Sequence, residues 1–110
     1  DPVDLSNKFE KASHYKGPKL FIAFSPCPPG WSFGPSKSVN VAKLAVQTGI
    51  LPLKEAVHGK VEHTVIPKFK PVEEYLKTQE RYAHLFEPIK QVDMINTIQK
   101  DVDDYWKRYL

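Results

Sequence analysis

Among the residues able to do chemistry, one cysteine and four histidines stand out from the carboxylates and lysines around them. Cys27 sits in Ser25-Pro26-Cys27-Pro28-Pro29-Gly30-Trp31. A thiolate there could ligate iron or another soft metal, attack an electrophile, or do neither and pack as a small apolar side chain. Prolines on both sides lock dihedrals and remove N–H donors, so the loop follows one extended path, and Gly30 lets it turn sharply. Trp31 and Phe33 are positioned in sequence either to keep water from a centre at Cys27 or to fill the core beside a strand. From this segment alone an inert, buried cysteine is the simpler reading. A nucleophilic cysteine–histidine pair is weaker, because nothing in the sequence brings His14, His58, His63 or His84 to the thiol. No Cys-x-x-Cys, His-x-x-x-His or His-Glu-x-x-His pattern occurs, which argues against a self-contained zinc site.

The other charged groups read as surface. Glu73 and Glu74 are neighbours that diverge on a helix and do not form an acid–base pair, while Glu73, Lys77 and Glu80 have spacings suited to weak ion pairs. Arg81 and His84 lie one turn apart and could meet a partner or a coenzyme phosphate, although plain surface positions explain them as well. The formal charge of +3 is spread among nearly balanced acids and bases, which gives no concentrated basic face for nucleic acid. With 41% hydrophobic and 26% charged residues, the 110-residue chain has the composition of one small folded domain or a piece of a larger one. No apolar run approaches the roughly 20 residues of a membrane helix and no cleavable leader is evident, so a cytoplasmic location without membrane contact is expected. A single cysteine cannot close an internal disulfide, in keeping with a reducing compartment.

These residues need elements to hold them. Asp1-Pro2-Val3-Asp4 predicts a helix start, with Leu5, Phe9 and Ala12 on one face and Gly17-Pro18 as the stop. Leu20-Phe21-Ile22-Ala23-Phe24 predicts a strand buried on both faces, with Cys27 just beyond its carboxyl end, the edge at which open α/β sheets bind ligands. A helix capped by Ser36 or Ser38 and carrying Val41, Leu44 and Ala45 should end at Gly49. Ile50-Leu51-Pro52-Leu53 reads as a strand entry, followed by a hairpin of Lys54 to Val57 and Val61 to Ile66 around His58-Gly59. From Pro71, Val72, Tyr75, Leu76, Gln79, Tyr82 and Phe86 recur at helical spacing, and a last helix from about Ile89 to Tyr109 carries Val92, Ile95, Val102 and the aromatic stripe of Tyr105, Trp106 and Tyr109. That stripe suggests docking. One buried strand and one hairpin cannot complete a parallel sheet, so its neighbours are expected in another segment or chain.

Several blocks, in one order, resemble a known family: Ser25-Pro26-Cys27-Pro28-Pro29-Gly30-Trp31, then Ala42-Lys43-Leu44-Ala45-Val46-Gln47-Thr48-Gly49, then Pro52-Leu53, then Pro71-Val72-Glu73-Glu74-Tyr75-Leu76-Lys77, with Gln79, Arg81, Tyr82, His84 and Leu85 after them. Together with Asp1-Pro2-Val3-Asp4 they are similar to the C-terminal third of the thiamine-diphosphate-binding beta subunit of 2-oxoacid:ferredoxin oxidoreductases, the pyruvate type (pyruvate synthase) in particular.

The resemblance implies an α/β fold: the C-terminal part of a thiamine-diphosphate-binding parallel-sheet domain over residues 1–66, then a two-helix arm over 67–110 lying on a neighbouring domain or subunit. It implies that Cys27 is the fourth thiolate of a 4Fe-4S cluster, the other three coming from earlier in the subunit; Trp31 and Phe33 are then candidates to shield it, beside their plainer reading as core filler. It also implies a hetero-oligomeric enzyme of anaerobic metabolism. That enzyme decarboxylates a 2-oxo acid oxidatively to acyl-CoA and carbon dioxide, using thiamine diphosphate and Mg, and passes electrons through 4Fe-4S clusters to ferredoxin. The implied partners are the remainder of the beta subunit, the other subunits, ferredoxin, coenzyme A and the 2-oxo acid. The family's early Cys-x-x-Cys and its Gly-Asp-Gly metal and diphosphate motif are absent from these residues, so this segment alone is expected neither to hold the cluster nor to be active. The competing expectation is a non-catalytic interaction or assembly module with an inert buried cysteine.

Overall fold

The computed structural model describes every residue from Asp1 to Leu110. In chain order it contains helix α1 (Pro2–Ser13), the short helix α2 (Pro28–Trp31), helix α3 (Ser38–Gln47), strands β1 (Lys54–Val57) and β2 (Lys60–His63), helix α4 (Val72–Leu76) and helix α5 (Val92–Lys107), with 3-10 turns at Pro35–Lys37 and Glu80–Leu85.

The core forms where three helices meet. Val41, Leu44 and Ala45 on α3 pack with Val72, Tyr75 and Leu76 on α4, with Leu85, and with Ile95 on α5. Each large side chain buried this way contributes roughly 1.5–3 kcal/mol. Trp106 locks the C-terminal end of α5 to the end of α3: its indole N–H donates to the Gly49 carbonyl at 2.9 Å, and the ring is 2% exposed. The stripe expected to dock outward therefore turns its largest member into this chain. Gly49 has φ +85°, and a Cβ there would lie 2.7 Å from Trp106 Nε1, so glycine is required both by the left-handed stop and by the indole's approach.

The predicted helix from Pro71 does not run to Phe86. α4 ends at Leu76, and Gln79 is extended, with φ −130° and ψ 127°. Two side chains compete for the carbonyl of Tyr75: Thr78 Oγ1 donates to it at 2.6 Å and Gln79 Nε2 at 3.2 Å. Local bonds of this kind offer the backbone an alternative to the helical ladder. The apolar spacing continues through the break, which is why periodicity alone reads straight across it.

β1 and β2 pair antiparallel, Lys54 opposite His63 and Val57 opposite Lys60, about a two-residue turn in which His58 (φ 50°) and Gly59 (φ 79°) are both left-handed. That is the type I′ geometry whose twist suits a hairpin. β2 stops at His63, short of the expected Ile66, and Ile50–Leu53 is a turn leading into β1 instead of a strand. This hairpin is the whole sheet, so the parallel sheet implied by the resemblance is not formed by these residues.

The largest departure is at Leu20–Phe24. The expected two-sided burial is absent: the run is unpaired, with Leu20 84% and Ile22 91% exposed. A strand needs neighbours for its backbone groups, and this chain offers none. Helix α1 is likewise unburied, its Asp1 carboxylate accepting the Asp4 N–H at 3.0 Å as the cap predicts, while Leu5 and Phe9 face outward and Phe9 stacks on Phe21 at 4.2 Å. The radius of gyration is 16.0 Å, against about 13 Å for a compact domain of this length. The accessible surface is 7886 Å², against roughly 6,200 Å² for a monomer of this mass. Expressed alone, the chain should bind a hydrophobic dye and self-associate, and Leu20→Lys with Ile22→Glu should reduce both effects. A monodisperse wild-type chain without dye binding would show that the exposed run needs no cover.

α1 is tethered by polar contacts. Lys8 is ion-paired with Asp4 and donates to Thr64 Oγ1 at 2.8 Å, and Lys11 is ion-paired with Glu55 of β1. Burial disfavours the Asp4 carboxylate, but Lys8 and Thr64 outweigh it and hold its pKa below the ordinary aspartate value. The contribution is then complete above that ordinary value and is lost as pH falls through the depressed one. Amide exchange of α1, corrected for its intrinsic pH dependence, should show protection dropping below about pH 4, and Asp4→Asn should remove that pH dependence.

No helix is long and apolar enough to cross a membrane.

Candidate functional site

Cys27 occupies the N-cap position of α2, in an extended conformation with φ −118° and ψ 94°. Pro28 and Pro29 supply the fixed φ of the first helical turn and have no N–H to leave unpaired there. The turn closes when the Trp31 N–H donates to the Cys27 carbonyl at 2.8 Å and the Phe33 N–H to Pro28 O at 3.2 Å, and Ser32, at φ 59°, ends it. Within this chain Cys27 is free and exposed, not buried as the competing expectation has it, and its surroundings in the rest of the subunit lie outside these residues. Four prolines and a one-turn helix hold this residue at the surface, not in the core. A Cβ on Gly30 would stand 3.0 Å from Cys27 Sγ, so the glycine keeps the space beside the sulfur open.

Trp31 and Phe33 are half-buried and pack against the helical core, their rings 6.3 Å apart, with Phe24 at 5.4 Å from Trp31. They are the apolar floor of the turn. The Glu80 N–H donates to Ser32 O at 2.9 Å, fastening the turn to the segment after α4. Beside this junction is a cleft of about 500 Å³ lined by Ser32, Phe33, Lys37, Lys77, Gln79 and Phe86, among others.

Sequence reasoning treated Arg81 as surface, but the fold places its guanidinium 4.0 Å from the centre of the Trp31 ring and 4.6 Å from that of Tyr82. Arg81 Nε donates to Gln79 Oε1 at 2.7 Å and Nη2 to the Tyr75 hydroxyl at 3.2 Å. Fifty positions separate Trp31 from Arg81, and no periodicity links them; only the nearby aromatic residues hinted at a stacked cation.

The remaining candidates behave as surface or scaffold. Glu73 pairs with Lys90 at 2.5 Å and Lys77 at 3.4 Å, and the hydrogen bond from Lys90 leads in holding its carboxyl below the usual range. His63 is engaged with the Tyr105 hydroxyl at 2.7 Å and rests edge-on to Trp106. No three histidine, cysteine, aspartate or glutamate side chains stand close enough together to hold a metal ion. Cys27 therefore stands as a single thiol on a rigid turn, with open space beside the sulfur and an apolar floor under the turn.

No protein-family model matches the chain. Similarity to individual proteins runs along nearly the whole of this chain. The chain is 42% identical over 107 residues to pyruvate synthase subunit PorB of Methanocaldococcus jannaschii, covering 96% of this chain and 34% of the relative. It is 39% identical over 111 residues to PorB of Thermotoga maritima, covering 100% of this chain and 34% of the relative. Against ketoisovalerate oxidoreductase subunit VorB of Pyrococcus furiosus the identity is 39% over 110 residues, covering 97% and 34%. The chain thus spans about a third of the length of the curated relatives it matches. These relatives are named as subunits of a pyruvate synthase and of a ketoisovalerate oxidoreductase. Along nearly its whole length the chain matches the beta subunit of 2-oxoacid:ferredoxin oxidoreductases.

Proposed function

We propose that this segment works inside a cytoplasmic 2-oxoacid:ferredoxin oxidoreductase of the pyruvate type, where Cys27 gives one thiolate to a 4Fe-4S cluster completed by residues elsewhere in the same subunit. The observation that carries this reading is the exposed, free thiol on a proline-fixed turn, within a chain that matches the beta-subunit family along nearly its whole length. When bound, such a cluster supplies one-electron redox chemistry next to the thiamine diphosphate and Mg of the complete enzyme, which makes acyl-CoA and carbon dioxide from a 2-oxo acid and coenzyme A and delivers electrons to ferredoxin.

The chain's own residues then do four things. Cys27 presents its sulfur at the surface, and Gly30 leaves room for a group to approach it. Trp31 and Phe33 keep water from the inner side of the turn, which matters because solvent exposure and nearby hydrogen bonds set the potential of thiolate-ligated iron. The bond from Glu80 to Ser32 fastens the turn to the helical core, so the sulfur's position follows the packing of α3, α4 and α5. Leu20–Phe24, apolar on both faces and unpaired, enters the sheet built by the rest of the subunit and brings Cys27 to that sheet's carboxyl edge. The test is Cys27→Ser in the complete enzyme. Reduction of ferredoxin by the 2-oxo acid should collapse while subunit assembly persists. Unchanged ferredoxin reduction would overturn the reading.

A further inference from the structure

We propose that Arg81 is a positioning residue for the Cys27 turn, holding it through Trp31 by a cation–π contact fixed by two hydrogen bonds, a combination that a lysine does not reproduce. The inference rests on the reading of Cys27 as a cluster ligand and adds a residue that composition and spacing assigned to the surface.

The connections run from the core outward. Gln79 is 2% exposed and is anchored by its Nε2 on Tyr75 O at 3.2 Å and Thr78 Oγ1 at 3.2 Å, leaving Oε1 aimed at Arg81 Nε, 2.7 Å away. The hydroxyl of Tyr75, itself 3% exposed, accepts from Arg81 Nη2 at 3.2 Å. Held by two buried residues, the guanidinium lies 4.0 Å from the Trp31 ring centre. Trp31 in turn donates its backbone N–H to the Cys27 carbonyl at 2.8 Å. Arg81 forms no ion pair with any carboxylate, so its charge is not neutralised by a neighbour. A surface arginine serving solubility would not be pinned on three sides. A lysine has one charged atom on a flexible stem and lacks the rigid fork of donors that bonds Gln79 and Tyr75 while keeping the guanidinium carbon over the indole.

Two consequences follow for a cluster held by Cys27. Loosening the turn weakens the hold on iron, as loss of a partner that orients a metal ligand usually does. Removing a fixed cation one aromatic ring from the turn disfavours the reduced cluster, which carries one more negative charge, and lowers its midpoint potential.

The experiment uses the complete enzyme carrying Arg81→Lys, Arg81→Ala and, separately, Cys27→Ser. Iron release to a chelator and the midpoint potential of the cluster nearest the thiamine are read by electron paramagnetic resonance. Arg81→Ala should release iron roughly tenfold faster and titrate at lower potential, and Arg81→Lys should restore neither iron retention nor the line shape of the signal, although it keeps the charge. Wild-type iron release and potential in Arg81→Ala, or full rescue by lysine, overturns the role of Arg81 while a signal lost in Cys27→Ser keeps the ligand reading intact. A signal unchanged in Cys27→Ser overturns the ligand reading itself. If the alanine variant does not assemble, the lysine variant decides alone, since its wild-type behaviour excludes this role of the guanidinium.

Discussion

Cys27→Ser in the complete oxidoreductase should cut electron delivery to ferredoxin by roughly 100-fold or more, since losing even an outer partner of a metal ligand costs about 10- to 100-fold in affinity or activity. The cause is local. Serine is slightly smaller but keeps the backbone of the turn, whose bond from Trp31 N–H to the residue-27 carbonyl does not involve the side chain. Within this chain the thiol is free and exposed, so the turn and the helical core should keep their fold. Iron per complex should fall toward the amount held by the remaining clusters, and the proximal signal should vanish or change its ligand-sensitive line shape. Gly30→Ala is the companion: its Cβ would meet Sγ at 3.0 Å, so it should perturb the same signal without removing the ligand.

Trp106→Ala should be the most destabilising single change in the helical core, costing about 3–5 kcal/mol. The indole is 2% exposed, joins α5 to the end of α3, and would leave both a cavity and an unpaired Gly49 carbonyl. A folded domain holds only about 5–15 kcal/mol in total, so this loss should open the contact between α5 and the end of α3. Trp106→Phe keeps most of the apolar area and loses the hydrogen bond, at a cost of about 1–3 kcal/mol for the orphaned buried carbonyl. Gly49→Ala reaches the same contact from the other side, forcing a Cβ to 2.7 Å from Nε1 in a left-handed residue. Amide exchange across 38–50 and 92–107 in the complete polypeptide measures all three, and the protection lost should rank Trp106→Ala above Trp106→Phe. Equal, wild-type protection in every variant would show that the helices are held by something other than this contact.

Residues with a local physical signature were legible in advance. Asp1-Pro2 fixed the start of α1, Gly49 the end of α3, and His58-Gly59 the hairpin turn, because each works through its own dihedrals or nearest hydrogen bonds. What depends on distant residues was not. The break at Gln79 comes from competition for one carbonyl beneath an unbroken apolar pattern. Trp106 looked like part of an outward stripe because helical spacing says which face is apolar, not what covers it. Leu20–Phe24 was legible as a buried strand in composition, yet its burial needs strands that this chain does not contain. At the site, the position of Cys27 on a rigid loop followed from its prolines, whereas its exposure and the contact of Arg81 with Trp31 are tertiary facts.

The central claim concerns a single bond, between Sγ of Cys27 and iron. Selenocysteine placed at position 27 of the complete subunit puts a heavy absorber at that atom and nowhere else. X-ray absorption at the selenium edge should then find iron as the nearest heavy neighbour, with the shell lost when the cluster is removed by chelation. A selenium shell of carbon and solvent alone, in enzyme whose clusters are intact, would contradict the assignment.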